Sequence, residues 1–209
     1  MYYVIPNIHG CNELLQKALN YIYKKEPNGG KIIFLGDYID RGRQDVDVLV
    51  TVMNPPENWE FITLMGNHEQ MVKWAYRREA NYYDPKFYME VFSDTRITMD
   101  QIYDWILTLP IVHLEGNNIF AHAFYDPYTE PENQIEQHVL WQRYGDGEPF
   151  GGDTGLYLTH GHTPRQNGPL TAPNRCNLDC GAPFYGQLVI GEYDHDTKGP
   201  INFVRFENA

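Results

Sequence analysis

The chain has 209 residues, 42% apolar and 21% charged, a size and balance that suit one domain spanning residues 1–209 with a substantial core. Its net charge of −12 argues against the basic face that binding to nucleic acid or an anionic membrane requires, while bound cations would still admit an anionic substrate. No apolar run reaches the roughly 18 residues of a membrane span and no secretory leader pattern is visible; three widely spaced cysteines, Cys11, Cys176 and Cys180, suit free thiols in the cytoplasm better than a disulfide framework or a structural zinc site.

In chain order, residues 2–5 read as a buried strand. A helix follows over residues 12–25, capped by Asn12, with Leu14, Leu15, Ala18, Leu19 and Ile22 at helical spacing. "PNGG" ends it, "KIIFLG" (residues 31–36) is a second strand, residues 44–53 a second helix, and "WEFITLMG" (residues 59–66) a third strand. Strands joined by helices predict parallel pairing. Residues 70–109 read as an aromatic helical stretch, expected either as a helical cap or as ordinary packing on the sheet. Beyond Pro110, "IVHL", "NNIFAHA", "LYLTH", "CNLDC", "GQLVIGEYD" and "INFVRF" predict a second, mostly antiparallel sheet.

Asn7, Asp37 and Asn67 are spaced 30 and 30 residues apart, about one β-α-β step each, so they fall at equivalent places past the carboxyl ends of neighbouring strands. Five motifs occur in order, each after a predicted strand: "NIHG", "GDYIDRG", "GNHE", "AHA" and "HGHTP". Singly each is weak, and a lone histidine is usually structural. Together they supply the Asp, Asn and His donors of a two-metal hydrolytic site.

These motifs, with "GNHEQM", "AHAFYDPY", "VLWQR", "GHTP" and "NLDCGAPFYGQL", resemble the calcineurin-like metallophosphoesterases, in particular the phosphoprotein phosphatase branch. The resemblance covers nearly the whole chain and implies an α/β fold: a two-sheet mixed sandwich flanked by helices. It implies one metal held by Asn7, His9 and Asp37, and a second by Asp37, Asn67, His122 and His162, with Asp37 shared. The expected ions are two divalent cations, manganese first, with iron, zinc or nickel also suited to these donors. A hydroxide between the ions would be the nucleophile, His68 the acid for the leaving group with Asp40 orienting it, and Arg41 and Arg143 the grip on phosphoryl oxygens. His160 is left to a supporting or structural role. The substrate would be a phosphorylated protein or small phosphoester, with oligomeric state unread.

One position departs from the family pattern, which has aspartate where this chain has Asn7. The amide offers a neutral oxygen, so the resemblance implies a weaker first metal and lower turnover in an otherwise intact site. Two alternatives stay open: a dinucleoside polyphosphate hydrolase of the diadenosine tetraphosphate type, and a catalytically weak variant that binds phosphate. A cysteine phosphatase is excluded because neither Cys11 nor Cys176 has an arginine six residues on, and no GxxxxGK[ST] nucleotide loop occurs.

Overall fold

The structure, a computed structural model, describes residues 1–78, 84–152 and 154–208. Strand β1 (Tyr2–Ile5), helix α1 (Asn12–Lys25), β2 (Gly30–Phe34), α2 (Asp45–Met53) and β3 (Trp59–Thr63) form the β-α-β-α-β unit, with β1–β2 and β2–β3 parallel. Helices α3 (Asn67–Tyr76), α4 (Pro85–Ser93) and α5 (Met99–Ile106) follow, and residues 79–83 of the expected helical stretch lie outside the described residues. Then come β4 (Val112–Glu115), β5 (Asn118–Ala121), α6 (Glu136–Trp141), β6 (Tyr157–His160), β7 (Leu170–Ala172), β8 (Arg175–Asn177), the short α7 (Ala182–Tyr185), β9 (Gln187–Tyr193) and β10 (Asn202–Glu207). Among the described residues no helix is long and apolar enough to cross a membrane.

Two mixed five-stranded sheets result, ordered β10-β9-β1-β2-β3 and β4-β5-β6-β8-β7. The expected antiparallel second sheet is corrected in two respects. β5–β6 and β6–β8 are parallel, because the segments between them are long enough to carry the chain back to the same end. The last two strands instead extend the first sheet, with β9 antiparallel to β1. All seven residues of β9 are buried, as suits a strand covered on both faces.

The run "YYVI" does not alternate because both of its faces are buried. Tyr2 and Val4 join Ile33, Leu35, Phe120, Cys176, Leu178 and Tyr193 in the layer between the sheets, whereas Tyr3 and Ile5 pack outward with α1 residues such as Leu15 and Ile22. Each such side chain contributes about 1.5–3 kcal/mol when fully buried. Phe87, Val91, Ile102 and Ile106 carry α4 and α5 onto this outer core. The cap of α1 is also corrected. Cys11 precedes the helix without a side-chain cap, and Asn12, its first residue, accepts from Gln16 Nε2 at 3.1 Å.

Candidate active site

Every motif loop leaves the carboxyl end of a strand that has a parallel neighbour. Asn7 and His9 follow β1; Asp37, Asp40 and Arg41 follow β2; Asn67 and His68 open α3 after β3; His122 follows β5 and His162 follows β6. The two sheets thus present one edge each to a common crevice, where open α/β sheets hold ligands. His9, Asp37, Asp40, Arg41 and His162 have positive φ, and they make up five of the seven such non-glycine residues described. This costs backbone energy, which is characteristic of functional loops. Gly66 permits a close approach: a Cβ there would lie 2.3 Å from the amide nitrogen and Oδ1 of Asp37.

At the centre, Asp37 Oδ2 lies 3.3 Å from His9 Nε2 and 3.4 Å from His122 Nε2. His9 Nδ1 is 2.8 Å from the Ile39 carbonyl, and His122 Nδ1 is 2.8 Å from the Leu35 carbonyl. A carbonyl can only accept, so both rings carry their proton on Nδ1 and turn an Nε2 lone pair inward. Those lone pairs face the Asp37 carboxylate, and that of His122 also faces Asn67 Oδ1 at 2.9 Å. His162 Nδ1 joins them, 3.0 Å from Asn67 Oδ1 and 3.2 Å from His122 Nε2. The His9 and His122 lone pairs aimed at the Asp37 carboxylate inside a buried site call for a cation between them, so the donor set fits divalent metal. Two groups of possible ligands meet at Asp37: His9, Asp37 and His68, and Asp37, His122 and His162.

Burial alone would raise the Asp37 carboxyl, but the imidazoles of His122, His68 and His9 hold it well below the carboxylate range. Burial, with His122 second, pushes His162 down to about 3, and burial also lowers His122, leaving neutral rings suited to ligation. His68 differs. Its burial opposes the charged form, yet Asp37 and the Asp40 hydrogen bond raise it above the ordinary histidine value. His68 Nδ1 stands 2.5 Å from Asp40 Oδ2.

Asn7 is buried and used at both ends. Its Nδ2 donates to Asp37 Oδ2 at 2.9 Å, while Oδ1 accepts from the His162 backbone N–H at 3.0 Å. An aspartate could offer one oxygen to that N–H and the other to a cation. The amide, with one oxygen, faces His162 and turns its nitrogen toward the metal side.

Arg41 and Arg143 are exposed and line, with Asp37, Asn67, His162, Trp141, Pro164 and Phe184, a cavity of about 650 Å³. Arg41 reaches to 3.5 Å from His9 Nε2 and stacks over Phe184, 5.2 Å from its centroid. A second cavity of about 580 Å³ lies beyond Arg41, against Cys11, Arg43 and Pro183, away from the imidazole cluster.

Sequence reasoning overlooked Glu69. It is fully buried and accepts from the backbone N–H of Asp37 (2.8 Å), Tyr38 (2.9 Å) and Gly66 (3.0 Å), so it fixes the loop bearing the shared carboxylate. The available signal was its place as the third residue of α3, where glutamate commonly reaches back to the preceding N–H. Trp141 is the other omission. It is set by Nε1–H donation to Gln70 Oε1 at 2.6 Å and by parallel stacking with Trp74.

A two-sheet α/β sandwich with imidazoles and a shared carboxylate at its strand ends defines a metal-dependent hydrolase of phosphoesters. The family model for calcineurin-like phosphoesterases matches residues 3–186, and the chain belongs to that family. The chain is 28% identical to the asymmetrical bis(5'-nucleosyl)-tetraphosphatase PrpE of Anoxybacillus flavithermus, over 92% of this chain and 90% of that protein. It is 27% identical to serine/threonine-protein phosphatase 1 of Salmonella typhimurium, over 90% and 89% respectively. The fold is similar to that of a solved metallophosphoesterase from Sphaerobacter thermophilus, with a TM-score of 0.56 and 17% identity over 100% of this chain and 89% of that one.

Proposed function

We propose that the chain is a phosphomonoesterase that removes phosphate from phosphoserine and phosphothreonine, with phosphotyrosine a further substrate. The carrying observation is the His68–Asp40 pair beside the imidazole cluster. A serine or threonine alkoxide is a poor leaving group and gains most from a positioned acid, whereas a nucleotide leaves as a stable phosphate and gains little. Asp40 orients the ring, and His68 delivers the proton to the departing oxygen. Arg41 and Arg143 hold the phosphoryl oxygens as planar forks and select for a dianion.

His9, Asp37, Asn67, His122 and His162 are the residues we assign to two divalent cations, manganese first, with Asn7 joining them when its amide turns its oxygen from the His162 N–H to the metal. When bound, these would supply Lewis acidity at phosphorus and an activated nucleophile. Asp37 serves both positions. The amide of Asn7 makes the first position the weaker one. The three free thiols agree with work in the cytoplasm.

A second reading, hydrolysis of dinucleoside polyphosphates, is favoured by the aromatic walls Trp141 and Phe184, which would stack a base, and by the likeness to the nucleosyl-tetraphosphatase. Rates on a phosphoserine peptide, para-nitrophenyl phosphate and diadenosine tetraphosphate separate the two. The proposal expects the peptide to lead in kcat/KM; a strong lead for the dinucleotide replaces it with the second reading.

A further inference from the structure

Arg175 heads the fully buried side chains by size, only 1% exposed, and sits on β8 next to β6. Among the described residues no carboxylate pairs with it. Its guanidinium spends its donors on neutral groups: Nε–H on the Glu148 carbonyl (2.6 Å), Nη2–H on the Gly145 carbonyl (2.7 Å) and Nη1–H on His160 Nε2 (3.1 Å). Its fourth side is the ring of Tyr144, 4.5 Å from the guanidinium carbon. His160 is equally defined. Its Nδ1 is 3.1 Å from the Gly161 carbonyl, which can only accept, so Nε2 is free to receive the arginine proton. A buried cation without a carboxylate costs solvation energy, and a packed apolar side chain would avoid that cost.

The two carbonyls that Arg175 holds belong to the strap that carries Arg143. Residues 142–149 form neither helix nor strand, and all but Tyr144 are exposed. Apart from Arg175, the strap is tied by Gln142 N–H donating to the His138 carbonyl (3.0 Å), by Tyr144 Oη–H donating to the Tyr125 carbonyl (2.9 Å) and by the Arg165–Asp146 ion pair. The third donor of Arg175 goes to His160, two residues before His162, in a turn whose Gly161 N–H meets the His122 carbonyl at 2.7 Å.

We infer that Arg175 is a positioning residue: it holds Arg143 at the phosphoryl site and, through His160, locks that strap to the turn presenting His162. The inference rests on the phosphate grip proposed above for Arg143. It gives His160 a role, as the neutral relay between the two loops.

The test compares the full chain with Arg175→Met and Arg175→Lys, each checked for its fold by circular dichroism and thermal unfolding. The measurements are KM and kcat on para-nitrophenyl phosphate and the inhibition constant of inorganic phosphate. Arg175→Met is expected to raise both KM and that constant about tenfold with kcat changed less than about threefold, and Arg175→Lys, which keeps the charge on a single donor nitrogen and cannot span both carbonyls and His160 as the fork does, should fall between. In an Arg143→Ala background at saturating manganese, Arg175→Met should add almost nothing to KM or to phosphate inhibition, since the residue it positions is gone. A folded Arg175 variant with parental phosphate inhibition overturns the inference, as does an equal increment in the Arg143→Ala background. If Arg143→Ala alone leaves phosphate inhibition unchanged, the proposed grip fails instead, so the two failures are read apart. His160→Phe keeps both carbonyl bonds but cuts the link, and is expected to weaken manganese binding, measured by calorimetry, while sparing phosphate inhibition; unchanged manganese affinity removes the His160 half.

Discussion

At Asn7 a single oxygen is claimed by the His162 N–H, and the amide nitrogen points where a ligand is needed. Asn7→Asp returns a second oxygen and a charge. Manganese affinity, followed by calorimetry, is expected to rise about 10–100-fold, with phosphatase activity rising alongside. Equal affinities in the two proteins would remove Asn7 from the metal's surroundings. Asp40→Asn tests the other side of the site. It is expected to lower kcat on a phosphoserine peptide by about 10²–10⁴-fold and on para-nitrophenyl phosphate much less, because nitrophenolate departs without help. Uniform losses on both substrates would deny His68 the role of acid. Most of these residues were legible because Asp, Asn and His recur at strand ends with a β-α-β interval. Glu69 and Arg175 were not, and His160 was read only as supporting or structural: each meets backbone groups or a neighbour far along the chain, and nothing in "GNHE", "HGHTP" or "NRCNLDC" states which carbonyl or N–H lies opposite.

Helix α2 begins with Asp45, a buried carboxyl that no cation pairs with among the described residues. Burial first, then the Glu90 carboxylate, raises it from 3.8 to about 7. The unfolded chain therefore releases this proton near pH 4, while the folded protein keeps it until about pH 7. Stability is lost as pH rises through that window, on the order of a few kcal/mol. Asp45→Asn is expected to flatten this part of the pH dependence and to stabilise the protein at pH 8; urea unfolding at pH 5 and pH 8 measures it, and parallel losses in both proteins would refute it. Elements with strong periodicity or apolar runs, such as α1 and β1, were legible to their ends. The three-residue β7 and six-residue α6 were not, since neither is long enough to show a period. The allegiance of β9 was hidden because an apolar strand names no partner, and the free edge of β1 became visible only in three dimensions.

For the molecule as a whole, the donors come from both sheets, so a bound cation would add to the apolar layer and the few hydrogen bonds, such as Asn118 Nδ2–H to Tyr2 Oη, that already join the two halves. Manganese at about 100 times its dissociation constant is expected to add about 2.7 kcal/mol, raising Tm by roughly 5–10 °C for a chain of this size. Scanning calorimetry with manganese and with a chelator checks this, and coincident transitions would contradict it. Trp141 carries a further consequence. Its indole lies 6.5 Å from the His162 ring and lines the cavity that the chain's other tryptophans, Trp59, Trp74 and Trp105, do not. Its emission is therefore expected to change when ions or phosphate arrive, making occupancy readable as fluorescence. Titrating manganese into the parent should shift that light, and Trp141→Phe should leave the remaining signal dark to the same titration.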